Sequence, residues 1–444
     1  MPLARELARY ALGEKLTGIP AVAQHEAVRA LLNWTGCAVG GSRHAAVERA
    51  IAALLPFSAG PHCSLLGRRE RVDALHAALV NGMSAHVLDF DDTHLRTLLH
   101  PSVPVASTLL ALAERQPMSG PAFLLAFLIG VEIECRIANA VWFAHNSHWY
   151  ITGTAGVFGA AVACAKALGL TEQQTVHALG IASAQTAGTR EMAGTMTKSF
   201  IHGRAAQNGL LAALLAQQGF TAAESSFEGP HGFVNVLAPQ RDLAAITAGL
   251  GTTYEILQNS YKPFACGVVA HPVIDACIQL RNAHRLRAAD MERVALVVNP
   301  RALELTGIQS PPTGLKSKWS IYHSAAVAVV DGAAGEQQYT DARVNDPVVR
   351  ALRERVTAIP DAKLSEIEAR VSITLRDGTI VSKHVERVIG SVENPMSDRD
   401  LEEKVRGLAH GILSPQRSAA MISTCWAVAD LEDIATLARA ATPD

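Results

Sequence analysis

Apolar residues recur at three- and four-residue spacing between about residues 26 and 237, which is the period of an amphipathic helix. The spacing is clear in residues 47–54 and again in residues 210–215. Glycine-rich breaks separate the periodic stretches, as expected of short connections between helices. Residues 153–165 contain almost no large side chain and no charge, so neighbouring backbones can approach them closely. The pattern predicts an all-helical region with this segment as a buried central helix.

The pattern changes after about residue 266, where short β-branched runs alternate with helical periods. An Asp377-Gly378 pair lies between the last two runs and predicts a hairpin turn. The predicted strands are residues 294–299, 369–375 and 379–385, and the predicted helices between them are residues 272–284 and 320–330. This mixture predicts an α+β unit of ordinary domain size.

Helical periodicity returns after Asn394-Pro395, in residues 400–413 and 417–440. We expect these tail helices to pack back on the first region. The predicted fold class is therefore mainly α, with a large all-helical domain plus a smaller α+β domain. The helical domain is expected to be discontinuous, comprising residues 1–265 with 400–444, and the α+β domain to comprise residues 266–399.

Composition narrows the class of protein. The formal net charge of −2 over 444 residues gives no reason to expect nucleic acid, which needs a basic surface. The longest apolar run, residues 121–131, is too short to cross a membrane, so no membrane partner is expected. Seven dispersed cysteines without a CxxC pair fit a reducing compartment. With Arg5 and Glu6 interrupting the first apolar stretch, we expect a cytoplasmic protein.

The first candidate motif contains three carboxylates and three histidines within residues 86–102. Like charges so close usually raise one carboxylate pKa, as a general acid or base requires. The rigid turn at His100-Pro101 favours this interpretation over simple helix capping by the aspartates. A metal site built from Asp89, Asp91, His94 and His100 is the weaker alternative, since HxxxH and HExxH spacings are missing.

The second motif runs from His145 to Gly156 and puts polar rings just before a Gly/Thr-rich helix start. Free N–H groups at such a start can hold a carboxylate. The glycines also permit close helix packing, and the two interpretations are compatible.

The third motif, residues 196–209, contains Lys198, His202 and Arg204 beside an Ala/Leu-rich helix. A lysine at the edge of an apolar core has a lowered pKa and can act as a base, while an arginine can bind a carboxylate. The alternative is a solvated helix start.

The fourth motif, residues 260–272, lies at the predicted domain junction, where ligand clefts tend to form. It contains Lys262 and Cys266, of which we interpret the cysteine as a packing or cleft-wall residue. Lys318 and Tyr322 are weaker candidates. The GxGxxG, GxSxG, Walker and haem signatures are missing, so we expect no cofactor and no metal.

These segments resemble the MmgE/PrpD family over nearly the whole chain. The segments that carry the resemblance are DFDDTH…HPS (89–102), TGTAGVFGAAVACAKALGL (152–170), MTKSF and GRAAQNGLLAALLA (196–216), YKPFACGVVAHPVIDA (261–276), KWSIYHSAAVAVVDG (318–332) and ENPMS (393–397). The resemblance implies a cleft between the two domains, a homodimer and a small polycarboxylate substrate handled without an organic cofactor. The MmgE/PrpD family includes dehydratases, decarboxylases and epimerases.

The resemblance also implies site residues, to which the motifs add others. The expected catalytic residues are Asp89, His100, Tyr150, Lys198 and Lys262, and the expected substrate-binding residues are Thr93, His148, Thr154, His202 and Arg204. Of these, Asp89, Thr93, His100, Lys198 and Lys262 match family active-site positions.

Two positions depart from the family pattern. Tyr150 stands where many relatives have histidine, and Ile201 with His202 shifts another histidine by one residue. A phenol is a much weaker acid than imidazolium, whereas an epimerase needs only two bases on opposite faces of the substrate. We therefore favour an epimerase that uses Tyr150 and Lys198, with a nearby cation lowering the Tyr150 pKa. Hydro-lyase, decarboxylase and a non-catalytic carboxylate-binding protein are the alternatives.

Overall fold

The first 260 residues form a helical body, as the periodicity predicts. The computed structural model describes residues 2–145 and 148–444. The helices of this body are α1 Leu3–Gly13, α2 Ala21–Gly41, α3 Ala45–Leu54, α4 Ala74–Val87, α5 Ser102–Ala113, α6 Gly120–His145, α7 Ile151–Ala167, α8 Glu172–Ser183, α9 Met196–Gln217, α10 Phe233–Leu237 and α11 Ala244–Thr247. Every residue of α7 from 151 to 165 is buried, which confirms the predicted central helix.

Small residues set the spacing of the central helices. A Cβ added at Gly203 of α9 would meet the Leu79 carbonyl oxygen of α4 at 2.2 Å, and one added at Gly82 would meet the Gly203 Cα at 2.7 Å. The two helices therefore touch backbone to backbone. Since α4 ends just before Asp89 and α9 begins just before Lys198, this contact fixes how far apart those residues lie.

Two short antiparallel pairs interrupt the helical body, and the sequence pattern did not predict them. They are β1 Cys63–Ser64 with β2 Arg71–Val72, and β3 Thr93–His94 with β4 Asn259–Ser260. Strands of two residues show no periodicity. The second pair matters for the site, because its Thr93–Ser260 register joins the first candidate motif to the fourth.

The α+β unit holds a four-stranded sheet in the order β6-β5-β7-β8. Its strands are β5 Met291–Val298, β6 Val356–Pro360, β7 Ala369–Leu375 and β8 Ile380–Val385, and its helices are α12 His271–His284, α13 Pro300–Thr306, α14 Gly314–Ser317, α15 Ile321–Asp331, α16 Asp341–Val344 and α17 Pro347–Arg353. The three predicted strands and the hairpin are confirmed, with Gly378 at φ 87°. Strand β6 was missed because only Val356 is buried in this edge strand. The predicted fold class, mainly α with a smaller α+β part, is confirmed.

The tail consists of α18 Asp398–Ala409, α19 Pro415–Trp426 and α20 Ala435–Ala440. The predicted single helix at 417–440 is thus two helices separated by a short break. Helix α18 lies on α2, where Val405 and Leu408 contact Gly36 and Gly40. We therefore propose that the tail belongs to the helical domain.

The seven cysteines are all buried and unpaired. Within residues 2–145 and 148–444, none of the helices has the length and apolarity needed to cross a lipid bilayer. The expected homodimer and cytoplasmic location stay predictions.

The backbone contact between α4 and α9 gives a stability prediction. Gly203→Val forces the helices apart or strains them, so we expect the free energy of unfolding to fall by about 1–3 kcal/mol or more. Urea unfolding measures the loss. Gly407→Ala is the control, because Gly407 is also helical but an added Cβ meets nothing within 4 Å. For this variant we expect the free energy of unfolding to rise, or to change by less than about 1 kcal/mol. Equal effects at both positions would contradict this account of the packing.

Candidate active site

An open cavity lies where the helical body meets the α+β unit, and its empty space, including the part open to solvent, is about 570 Å³. Its walls come from both parts, as the resemblance implied. The lining residues are Asp89, Thr93, Leu98, His100, Trp142, Trp149, Tyr150, Ile151, Arg190, Lys198, Lys262, Gly267, Val268, Val269, Leu305 and Trp319. All five expected catalytic residues and Thr93 are among them.

One carboxylate oxygen organises the polar side of the cavity. Asp89 Oδ1 accepts a hydrogen bond from Lys262 Nζ at 2.7 Å and lies 3.0 Å from Lys198 Nζ. The three residues are 5%, 2% and 7% exposed, so their charges are compensated mainly by one another. Two ammonium groups against one carboxylate leave a net positive charge at the cavity, which suits a carboxylate ligand.

Each of the three residues is held by its own element. Asp89 follows α4 in a left-handed backbone conformation, φ 53°, and its N–H donates to His86 O at 2.8 Å. Lys198 lies in the first turn of α9, and Lys262 follows β4. The contact of α4 with α9 and the pairing of β3 with β4 bring these segments together.

Burial and charge separate the pKa values of the trio. Burial disfavours the charged Asp89 carboxylate, but Lys198 and Lys262 outweigh it and hold the Asp89 pKa well below its usual value. Burial lowers the pKa of Lys198, with Asp89 opposing the change. At Lys262 burial also acts to lower the pKa, yet Asp89 and Asp91 outweigh it and raise the value. Lys198 is therefore the lysine that exchanges its proton more readily.

His100 is oriented by a buried carboxylate. Its Nδ1 lies 3.1 Å from Asp91 Oδ2 and 3.0 Å from the Asp92 carbonyl oxygen. Both are acceptors, so Nδ1 carries the proton and Nε2 is the nitrogen left to accept one. Burial opposes ionisation of Asp91, but His100 and His86 hold its pKa well below the usual value. Asp91 is thus a positioning residue for His100.

Two further histidines lie behind His100. His86 Nδ1 is 2.8 Å from the same Asp91 oxygen, and burial lowers the His86 pKa to about 3. His202 stacks on His86 with ring centroids 3.4 Å apart and donates from Nδ1 to the Lys198 carbonyl oxygen. Both rings are therefore neutral at pH 7 and act as a packed support for His100 and Lys198.

His86, His100 and His202 form a candidate metal-binding group, because one ring nitrogen of each lies within 4.8 Å of the others. A ring nitrogen's lone pair lies in its ring plane, and the His86 and His202 planes differ by only 10°. Parallel stacked rings cannot both point at one ion. A second group, His86 with Asp89 and Asp91, uses a carboxylate already paired with two ammonium groups. The geometry of both groups fits a cation poorly.

His94, a ligand in the weaker metal hypothesis, turns away from this cluster. Its ring nitrogens lie 2.9 Å from Thr97 Oγ1 and 3.0 Å from Glu255 Oε2.

Tyr150 lines the cavity, but its chemistry differs from the prediction. Its ring centroid is 5.8 Å from Lys198 Nζ. Burial, with the nearby Asp89 charge, raises the Tyr150 pKa above its usual value. The expectation that a nearby cation lowers this pKa is therefore wrong, because the Arg190 guanidinium, which acts to lower it, does not outweigh burial and the Asp89 charge. Tyr150 is a neutral phenol and a hydrogen-bond donor rather than a base.

The other four expected substrate-binding residues lie outside the cavity lining. Thr154 is fully buried and hydrogen-bonded to His145 Nδ1 at 3.0 Å. His202 is buried one layer behind Lys198, while Arg204 and His148 are exposed, with Arg204 paired to Gln207. In this geometry the four side chains do not face the cavity, which differs from their predicted role in binding substrate.

The predicted carboxylate cradle at residues 153–156 is filled by packing. A Cβ at Gly153 would meet the Ala187 carbonyl oxygen at 2.2 Å, and one at Gly156 would meet Pro104 at 2.8 Å. Of the two interpretations of this motif, the structure supports close helix packing. Residues 146–147 of the same motif lie outside the described residues.

Several lining residues were missed by the sequence reasoning. Arg190 adds a guanidinium cation to the cavity wall. Burial and the nearby Arg301 charge lower the Arg190 pKa. Trp142, Trp149 and Trp319 form much of the apolar wall, and Lys198 Nζ lies 4.7 Å from the Trp319 ring. Three of the chain's five tryptophans lie in or near the candidate motifs. This clustering was the signal in the sequence that could have indicated an aromatic wall. Cys266 is buried, and burial raises its thiol pKa to about 11, consistent with the predicted packing role.

Comparison with known proteins places this site in a family. Residues 5–245 match the model of the MmgE/PrpD N-terminal domain, and residues 264–428 match that of the MmgE/PrpD C-terminal domain. The mouse cis-aconitate decarboxylase is 28% identical, over 86% of this chain and 82% of that protein. The Aspergillus terreus cis-aconitate decarboxylase is 26% identical, over 97% and 94% respectively. The 2-methylcitrate dehydratase of Cupriavidus necator is 25% identical, over 80% and 78%. The chain belongs to the MmgE/PrpD family.

Proposed function

We propose that the protein is a lyase that decarboxylates a small unsaturated polycarboxylate. The observation that carries this proposal is the net positive Asp89–Lys198–Lys262 cluster facing a cavity with largely apolar walls. Relatives named cis-aconitate decarboxylase match most of the chain, which supports the same reaction class.

The reaction needs two charge-handling steps. The bond between the leaving carboxylate and its carbon breaks, and carbon dioxide departs. The electron pair delocalises through the substrate's carbon–carbon double bond, which shifts by one position, into the carboxylate conjugated with it. Lys262, whose pKa is raised, stays charged and stabilises that developing charge. Lys198, whose pKa is lowered by burial, gives a proton to the carbon and regains one from solvent. One proton is consumed for each carbon dioxide released.

The walls favour the same step. A carboxylate loses solvation among Trp142, Trp149 and Trp319, whereas a delocalised anion loses less, so bond cleavage is eased. Arg190 enters the cavity from the loop before α9. As a planar bidentate donor it suits a second carboxylate of the substrate.

A hydro-lyase is the second candidate, and the His100–Asp91 pair favours it. Once His100 has also taken a proton at Nε2, the imidazolium oriented by Asp91 can protonate a leaving hydroxyl. The similarity to a protein named 2-methylcitrate dehydratase supports this alternative.

The epimerase hypothesis loses ground on two counts. It needed Tyr150 as a base, but the Tyr150 pKa is raised rather than lowered. The relatives named above are decarboxylases and a dehydratase, both lyases. A non-catalytic binding protein is disfavoured by the complete set of Asp89, His100, Lys198 and Lys262 in one cavity.

Proton NMR in deuterated buffer with a panel of di- and tricarboxylates separates these reactions. With cis-aconitate we expect loss of carbon dioxide, a new vinyl signal and one deuterium on the carbon that receives the proton. Water loss from a hydroxylated tricarboxylate, without decarboxylation, would identify the hydro-lyase instead. Deuterium wash-in without net conversion would contradict the lyase proposal and restore the epimerase.

In the same assay Tyr150→Phe is expected to retain turnover, because the phenol is no base.

Lys198→Met tests the proton donor. Met keeps the apolar stem and removes the ammonium, so we expect turnover to fall at least about a hundredfold, the usual range for general acid–base groups. Steady-state kinetics measures the loss, and Lys383→Met, at an exposed position on β8, is the control expected to have no effect. Turnover retained with only weaker substrate binding would make Lys198 an electrostatic clamp.

A further inference from the structure

Two more lysine ammonium groups lie next to the catalytic cluster without lining the cavity, one on the buried Lys318 and one on the partly buried Lys404. Lys318 Nζ donates to Leu88 O at 2.5 Å, Ala265 O at 2.8 Å and Glu336 Oε1 at 2.6 Å. It comes from the α+β unit, and the residue is 4% exposed.

The second is Lys404, from the tail helix α18. Its Nζ donates to Phe90 O at 2.6 Å, Asn33 Oδ1 at 2.7 Å and Lys262 O at 2.9 Å. The ammonium also lies 4.1 Å from the centre of the Phe90 ring.

The pattern of acceptors is the same for both lysines. Each ammonium binds one carbonyl adjacent to Asp89, residue 88 for Lys318 and residue 90 for Lys404. Each also binds one carbonyl in residues 262–265, the segment that carries Lys262. The two lysines therefore join the Asp89 segment to the Lys262 segment, one through the carbonyl before Asp89 and the other through the carbonyl after it.

Asp89 needs such support because of its backbone. Its φ of 53° is unfavourable for a residue with a Cβ and persists only where the surroundings enforce it. Holding the carbonyls before and after Asp89 restricts the rotations that would release this conformation.

Lys404 is informative because its three hydrogen-bond acceptors are neutral. Lys404 is only partly buried, yet burial lowers the pKa of its ammonium to about 8, so holding the charge there is unfavourable and an apolar residue would avoid that cost. An apolar residue, however, could not bind three oxygens from three segments. The geometry is explained by positioning rather than by stability.

We propose that Lys318 and Lys404 are positioning residues that hold the Asp89 and Lys262 segments in register for catalysis. They act through Asp89 and Lys262 and do not touch the substrate. The site thus depends on all three parts of the chain: the helical body, the α+β unit and the tail.

The test compares Lys404→Met with the exposed control Lys383→Met. We expect kcat/KM of Lys404→Met to fall at least about tenfold, since small misplacements of catalytic groups carry losses of this size. In an Asp89→Asn background the same change is expected to cost less than about twofold, because residues that act through one another are not additive. A global structural effect would lower both backgrounds equally, and that result would overturn the proposal.

Hydrogen exchange gives a readout that needs no turnover, and so separates this proposal from the proposed lyase activity, on whose site it rests. We expect the backbone amides of residues 88–91 and 262–265 to exchange faster in Lys404→Met than in wild type, whereas the amides of the helices exchange at the wild-type rate. Unchanged exchange in both segments would overturn the proposal, whatever reaction the enzyme catalyses. If Lys404→Met does not fold, Lys318→Met, which removes the hydrogen bonds on the other side of Asp89, is judged by the same two criteria.

Discussion

The Asp89 carboxylate lies between two buried ammonium groups, 2.7 Å from Lys262 Nζ and 3.0 Å from Lys198 Nζ. The three charges come from distant parts of the sequence and meet out of water. Breaking a buried ion pair by removing one partner is strongly unfavourable, at about 3–5 kcal/mol, because a buried charge is left uncompensated. The same arrangement sets the chemistry, since it keeps Lys262 charged and leaves Lys198 with a lowered pKa. Stability of the junction and competence of the site therefore depend on one carboxylate.

The surrounding fold supplies the geometry that this carboxylate requires. The glycine contact between α4 and α9 brings Asp89 to Lys198, and the β3–β4 pairing brings it to Lys262. Asp91 orients His100 by accepting a hydrogen bond from its Nδ1. The α+β unit then closes the cavity with Trp319 and Leu305. Each element positions one functional group, so the cavity exists only in the assembled chain.

The sequence predicted the helical body, three of the four sheet strands and the motif residues that line the cavity. Those features follow from apolar periodicity and from dense titratable groups beside glycine and proline. The β3–β4 pair was missed because two-residue strands have no period. Arg190 was missed because only the pairing of its loop with residues 148–150 places it at the cavity. His202 shows why motif proximity is not enough: it lies one helical turn from Lys198, yet it faces the layer behind the cavity. The error in the sign of the Tyr150 pKa shift arose because burial cannot be weighed against charge before the fold is known.

If Asp89 compensates both lysines, loss of its charge must destabilise the folded chain, and urea unfolding of Asp89→Asn measures that loss. The substitution keeps the side-chain shape and one carbonyl acceptor but removes the negative charge. At pH 7 we expect the free energy of unfolding to fall by about 3 kcal/mol or more, since two buried ammonium groups are then left uncompensated. A loss below about 0.5 kcal/mol, the range of ordinary surface substitutions, would contradict it.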